Sequence, residues 1–153
     1  MMSIIVRTMT KLITPLVLVF GLYIIMHGHV TIGGGFQGGA VFASAAALVL
    51  AAFGSERIKD HLKISTLTVV SCAGALLFAG LGFAGMGKTF FYNFLVGSPL
   101  FGHIPEFGPE HEDIWTGGTI APMNIGVGLN VIASLAAIMV IMALASHGKG
   151  DKE

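Results

Sequence analysis

Charge is scarce in this sequence. Only 10% of its 153 residues are Asp, Glu, Lys or Arg, 54% are hydrophobic, and the mean hydropathy is +0.86. Soluble domains carry about 25% charged residues, so a water-soluble globular domain is excluded. The eight basic and eight acidic residues are also confined to short segments, which leaves residues 12–55, 64–87 and 114–148 with none, in stretches of 44, 24 and 35 residues. A membrane-crossing helix needs about 20 mostly apolar residues, so the first stretch has room for two spans and the others for one each.

Spans are expected near residues 11–26, 38–53, 65–86 and 120–146, with a long external loop over 87–118, in a single membrane domain covering 1–153. Backbone polar groups in lipid must be satisfied within the segment, and too few apolar runs exist to close a barrel. The expected fold is therefore all-α, an integral membrane bundle of four transmembrane helices. Pro15 falls either in the first turn of the first span or inside a helix that begins earlier, among residues 3–11. The first apolar run continues to His27 without a small-x-small cleavage site, which reads as a retained span rather than a signal peptide. Seven of the eight basic residues (Arg7, Lys11, Arg57, Lys59, Lys63, Lys149 and Lys152) fall on one side of such a bundle and only Lys88 on the other. The bias toward basic cytoplasmic segments puts both termini in the cytoplasm. The external loop is locally acidic, with Glu106, Glu110, Glu112 and Asp113 within eight positions.

Other absences narrow the function. Cys72 is the one cysteine, so there is no internal disulfide and no redox or metal spacing. No carboxylate or lysine falls inside an expected span, although a carrier of protons or sodium keeps such groups despite a cost of about 2.5–3.5 kcal/mol each. The chain by itself is a poor candidate for an ion pump. Its intramembrane polar groups are neutral: Thr66, Thr68, Ser71, Asn124, Asn130 and Ser134. Asn130 and Ser134 share a helix face, as do Asn124 and Gly128, which suits hydrogen bonding between helices, with ion contact as the alternative. No nucleophile sits beside a base and no Cys or His cluster has ligand spacing, so no catalysis, cofactor or resident metal is expected. His103 and His111 with the acids near them offer a divalent ion an exposed site at most. Nothing points to nucleic acid.

Glycine, in contrast, is abundant, and six of the 22 glycines fall in "HGHVTIGGGFQGGA", residues 27–40. Gly33, Gly35 and Gly38 match G-x-G-x-x-G, but that pattern binds dinucleotides only after a strand in a soluble βαβ unit. Here residues 33–35 suit a sharp reversal between two helices. Gly38 and Gly39, then Ala43, Ala47 and Ala51, give the second helix a smooth stripe, begun by Gly35 and Gly39 as G-x-x-x-G. Small residues let helices approach closely in lipid, so this stripe is expected to pack on neighbouring subunits. His27 and His29 at the helix end read as interfacial caps, or alternatively as proton-handling groups.

"HGHVTIGGGFQGG" after a first span, with "GTIAPMNIGVGL" (residues 118–129) opening the last, resembles the MnhB family, a small-subunit family of Mrp-type multisubunit sodium/proton antiporters. The resemblance covers nearly the whole chain in length, span count and motif order. Family members typically show Gly-His, a few residues, then Pro-Gly-Gly-Gly-Phe-x-Gly-Gly, matched here by Gly28, His29, Gly33, Gly34, Gly35, Phe36, Gly38 and Gly39. Ile32 stands where proline is usual, and Asn124 where an aspartate is frequent. The resemblance implies an accessory subunit in a prokaryotic plasma membrane, assembled with large antiporter-like subunits that carry the ion-translocating groups and with other small membrane subunits. It equally implies the related antiporter modules of archaeal membrane-bound hydrogenase-type complexes, with redox subunits as further partners. In either host Phe36 and the glycines would fix the external turn, and His29 and Asn124 would line an ion path.

The external loop holds Phe90, Phe91, Tyr92, Phe94, Phe101, Phe107 and Trp115, more apolar surface than an isolated loop exposes, which favours cover by a partner. Two other classes stay open: a homo-oligomeric channel or small transporter, and a membrane metalloenzyme using the external histidines and acids.

Overall fold

The computed structural model describes residues 3–30, 32–54, 63–104 and 114–150, with side chains to residue 145. Among them are four long helices: α1 (Ile4–Met26), α2 (Gly34–Phe53), α3 (Ile64–Ala84) and α4 (Ile120–Gly150). All are long and apolar enough to cross a membrane.

Helix α1 starts at Ile4 rather than near residue 11. Ser3 caps it, its Oγ accepting from the Val6 N–H at 3.4 Å, so the helix winds through Arg7 and Lys11 before it reaches the apolar run. A gap in charge marks where lipid begins, not where a helix begins. Pro15 consequently lies inside α1, where its ring nitrogen has no hydrogen to give the Lys11 carbonyl. Helix α2 starts at Gly34 rather than 38, capped by Gly33, and ends at Phe53 with Gly54 as its C-cap. Helix α3 runs on into a 3-10 turn, Gly85–Gly87. Helix α4 extends past the expected 146 to Gly150.

The helices pack in the order α1, α2, α4, α3. Gly21 of α1 meets Gly38 and Phe42 of α2, and Arg7 lies over Phe53, so these two run antiparallel. Gly35 meets Asn124 and Gly39 meets Gly128, so α2 and α4 run parallel. Gly74 of α3 meets Gly126 of α4, and Ser71 meets Ser134, so this last pair is antiparallel. What is buried is small: Ala43, Ala45, Ala121, Ala133 and Ala136 are each at most 4% exposed. Large apolar side chains point outward instead, with Leu16 67%, Leu76 71% and Met142 67% exposed. A water-soluble bundle sorts its residues the other way. Lipid gives no hydrophobic reward for burying leucine, so contact between backbones holds this interior together.

Candidate functional site

The turn between α1 and α2 meets the start of α4 at one end of the bundle. Helix α1 closes on its own last turn: the His27 N–H donates to the Tyr23 carbonyl at 3.1 Å and the Gly28 N–H to the Ile25 carbonyl at 3.2 Å. The His27 ring lies 4.1 Å from the Tyr23 ring, and its Nδ1 donates to the Tyr23 carbonyl at 3.0 Å. His27 therefore caps the helix, as a terminal imidazole does.

The glycines divide their work. Gly33 alone, with φ +83°, takes the left-handed conformation that favours glycine. Gly34 and Gly35 are already helical and buried, so the reversal rests on one residue, not three. The others make room on two faces of α2. On one face, Gly34 lies against Gly28, and a Cβ at Gly38 would stand 2.6 Å from Ile25 Cγ1 and 2.8 Å from the Gly21 carbonyl. On the other, a Cβ at Gly35 would stand 2.6 Å from the Asn124 carbonyl, and one at Gly39 2.9 Å from Val131 Cβ. Ala43 continues this face at 1% exposure, Ala47 is half-buried and Ala51 is exposed. At Gly35, Gly38 and Gly39 the stripe expected to meet neighbouring subunits is thus occupied by α1 and α4 of the same chain, while its far end at Ala51 stays open. G-x-x-x-G specifies close approach, but not whether the approaching helix is foreign.

Asn124, half-buried one turn into α4, has its amide against Gly28, where a Cβ would come within 3.0 Å of Asn124 Cγ and Nδ2. Its Nδ2 is buried and has no hydrogen-bond partner among the described residues. His29 packs on Gly117, where a Cβ would lie 3.1 Å from the His29 Cβ and Cγ. The same corner thus brings together both residues singled out for an ion path, one against the turn and one against the loop that leads into α4. Phe36 projects away from it, 62% exposed, and Ile32 is 95% exposed.

Several contributors were not singled out from the sequence. Ile25, 6% exposed, fits between Gly38 and Gly128 and links α1 to both other helices. Asn93 of the loop caps α4, its Oδ1 accepting from the Thr119 N–H and Oγ1 at 2.8 Å each. A lone Asn between aromatic residues carries no sequence signal for a contact 26 positions away. Deeper in the bundle, Ser71 Oγ donates to Asn130 Oδ1 at 2.7 Å and stands 2.8 Å from Ser134 Oγ. Ser134 Oγ is also 3.1 Å from Asn130 Oδ1. Ser71, Asn130 and Ser134 thus bridge α3 and α4 through hydrogen bonds, one of the two roles the spacing of Asn130 and Ser134 allowed, while Thr68 bonds within its own helix.

Part of the loop is covered by the chain itself. Phe90 and Phe91 pack edge-on at 4.4 Å, Phe91 lies 5.5 Å from Phe78 of α3, and Phe101 stacks on Trp115 at 5.1 Å. Trp115, Phe90 and Phe94 nonetheless stay 38–50% exposed. Among the described residues no three His, Cys, Asp or Glu side chains gather. His103 is exposed, and His111 with the four external acids lies outside the described residues.

Residues 5–145 match the family model described as a domain related to the MnhB subunit of Na+/H+ antiporter. A Staphylococcus haemolyticus protein with "antiporter subunit mnhB2" in its name is 30% identical over 143 residues, covering 92% of this chain and 94% of that protein. A Staphylococcus aureus protein with the same words in its name is 30% identical over 145 residues with the same coverage. An uncharacterized protein of Methanocaldococcus jannaschii is 37% identical over 134 residues, 84% of this chain but 47% of that protein, so the chain spans about half of its length.

Proposed function

The chain belongs to the MnhB family of Na+/H+ antiporter subunits, and from that premise we propose that it is a non-catalytic accessory subunit of a multisubunit sodium/proton antiporter of the Mrp type, or of the Mrp-like module of a membrane-bound hydrogenase-type complex. One observation carries the accessory reading. Helices α2 and α3 and the span of α4 over Ile120–Ala145 contain no Asp, Glu, Lys or Arg, and α1 has only Arg7 and Lys11 near its start. A carrier needs ionisable groups at membrane depth, and here they come from larger partner subunits.

The protein sits in a prokaryotic plasma membrane with both termini cytoplasmic and the glycine turn outside, as the basic residues direct. Gly33 makes the turn, while Gly34, Gly35, Gly38, Gly39, Ala43 and Ala47 hold α1, α2 and α4 together. The exposed Phe36 and the loop aromatics are what the assembled α1–α2–α4 unit presents to its neighbours. His29 and Asn124 line an ion path where this corner meets another subunit. The buried Asn124 Nδ2 is an N–H donor without a partner among the described residues, which supports a bound water on that path, because a buried polar group is normally satisfied by protein or water.

The test is antiport in everted membrane vesicles from cells lacking their own antiporters. Deleting this chain from its complex should abolish sodium-driven proton movement, and the chain alone should give none. Conduction by the chain alone, as a defined oligomer, would instead make it a channel. His29→Ala should shift the pH profile of antiport in assembled complex; an unchanged profile removes His29 from the path. Asn124→Asp sacrifices no described hydrogen bond at Nδ2 and should preserve assembly while altering ion dependence.

A further inference from the structure

The bundle has a second feature, midway along its helices on the side of the glycine turn that leads toward Arg7. It is a groove of about 320 Å³ whose walls include Thr14 and Leu18 of α1, Phe42, Ala46 and Val49 of α2, Leu67 of α3, and Ile132 and Ala136 of α4. Arg7, Lys11, Thr14 and Leu18 follow one another at intervals of four, three and four, so they share a face of α1. Phe42, Ala46, Val49 and Phe53 do the same on α2. Because the two helices are antiparallel, these stripes run side by side and end together, with the Arg7 guanidinium 6.0 Å and the Lys11 ammonium 5.9 Å from the centre of the Phe53 ring.

We propose that this groove binds an anionic phospholipid, one acyl chain lying along the α1 and α2 stripes and the phosphate held by Arg7 and Lys11. The inference rests on the chain spanning a bilayer and not on its assignment to an antiporter.

The dimensions suit a lipid. From Arg7 to Leu18 is eleven residues, about 16 Å of helix at 1.5 Å per residue, and one leaflet is half of a hydrocarbon core about 30 Å thick. The groove's α1 wall begins at Thr14, with Arg7 and Lys11 above it on the same face, so the two cations and the groove together reach from the headgroup level to the middle of the membrane. The polar chemistry is graded along the same line. At the top, Arg7 Nε is buried without a hydrogen-bond partner among the described residues, and a guanidinium is the side chain best shaped to grip phosphate oxygens. Lys11 adds a second positive charge one turn deeper. Thr14 Oγ1, buried and also without a partner among those residues, lies about 4.5 Å below Lys11 along the axis, at the depth of an ester carbonyl beneath a phosphate. Below Thr14 the lining that faces the groove is aliphatic or aromatic. Lys63, the N-cap of α3, lies one turn before Leu67 and puts a further cation at the same end. A neighbouring helix would have to carry its own anion to this depth to satisfy Arg7 and Lys11, whereas an anionic lipid brings phosphate and apolar tail in one molecule.

The experiment uses the full-length purified protein, delipidated in detergent, titrated with dioleoyl phosphatidylglycerol or dioleoyl phosphatidylcholine and read by native mass spectrometry. Phosphatidylglycerol should bind on the order of tenfold more tightly than phosphatidylcholine, consistent with two basic residues at an anionic headgroup. The double variant Arg7→Gln, Lys11→Gln should lose that preference, and Arg7→Lys, Lys11→Arg should keep it, which separates charge from folding. Ala46→Phe, filling the groove, should weaken both lipids. Equal binding of the two lipids by the unaltered protein, or a preference that survives the double glutamine variant, overturns the proposal. So does cross-linking of Leu18→Cys to another subunit in the native complex, since the groove would then hold a protein helix.

Discussion

Helix α4 is gripped on two sides by different means. Toward α2 the contact is backbone on backbone, with Gly35 and Gly39 set against the Asn124 carbonyl, Gly128 and Val131. Toward α3 a glycine contact of the same kind, Gly74 on the Gly126 carbonyl, is joined by the hydrogen-bonded group Ser71, Asn130 and Ser134. Lipid leaves few ways to hold helices together, and this chain uses both close packing and neutral hydrogen bonds. The difference has a consequence for tolerance. A backbone contact has no slack, because a carbonyl cannot rotate away from an added side chain. A hydrogen-bonded group can lose one member and keep the rest: without Ser71 the bond from Ser134 to Asn130 remains.

The largest effect should therefore come from the glycines. Gly35→Leu, and Gly74→Leu on the other side, drive side chains into carbonyls that a Cβ would already approach to 2.6 and 2.5 Å. Overpacking of this kind costs about 1–3 kcal/mol and displaces backbone. Both variants should lose assembled complex on size-exclusion chromatography, and normal yield from either would mean that the helices are not so closely packed. Gly33→Ala comes next, because alanine at φ +83° is strained by about 1–2 kcal/mol. The thermal transition of the purified protein should fall, with the complex still forming. Ser71→Ala should cost less, about 0.6 kcal/mol and at most about 1.7. A loss as large as that of Gly74→Leu would mean that hydrogen bonds and not close packing dominate the α3 side. Gly80→Ala sharpens the comparison from below, since a Cβ there meets nothing within 4 Å. Its transition temperature should not fall, and the better helix propensity of alanine should raise it slightly.

The contrast also explains what the sequence made legible. Four apolar helices follow from the spacing of charge, and the glycine-rich turn follows from composition. The ends of α1 and α2 did not follow, for opposite reasons. Arg7 and Lys11 look like the outside of a span, yet a helix capped by Ser3 continues into water. Gly34 and Gly35 look like a loop by propensity, yet in a membrane their lack of a side chain is what lets α2 begin against α4. Which helix covers a small-residue stripe is a tertiary fact. The periodicity of residues 35, 39 and 43 is the same whether the partner is α4 or another protein. Contacts such as Asn93 on Thr119 and Ile25 between two glycines depend on neighbours far apart in sequence, and no local pattern announces them.

Both grips on α4 draw the helices into one bundle whose outward faces stay apolar, and the proposed accessory role rests on those faces being covered by other antiporter subunits. Mild-detergent extraction from native membranes through a C-terminal tag, with mass spectrometry of everything that co-purifies, tests this most directly. The account predicts recovery with large antiporter-like subunits, and the presence or absence of redox subunits would name the host complex. Recovery of this chain alone, as a discrete oligomer, would contradict it.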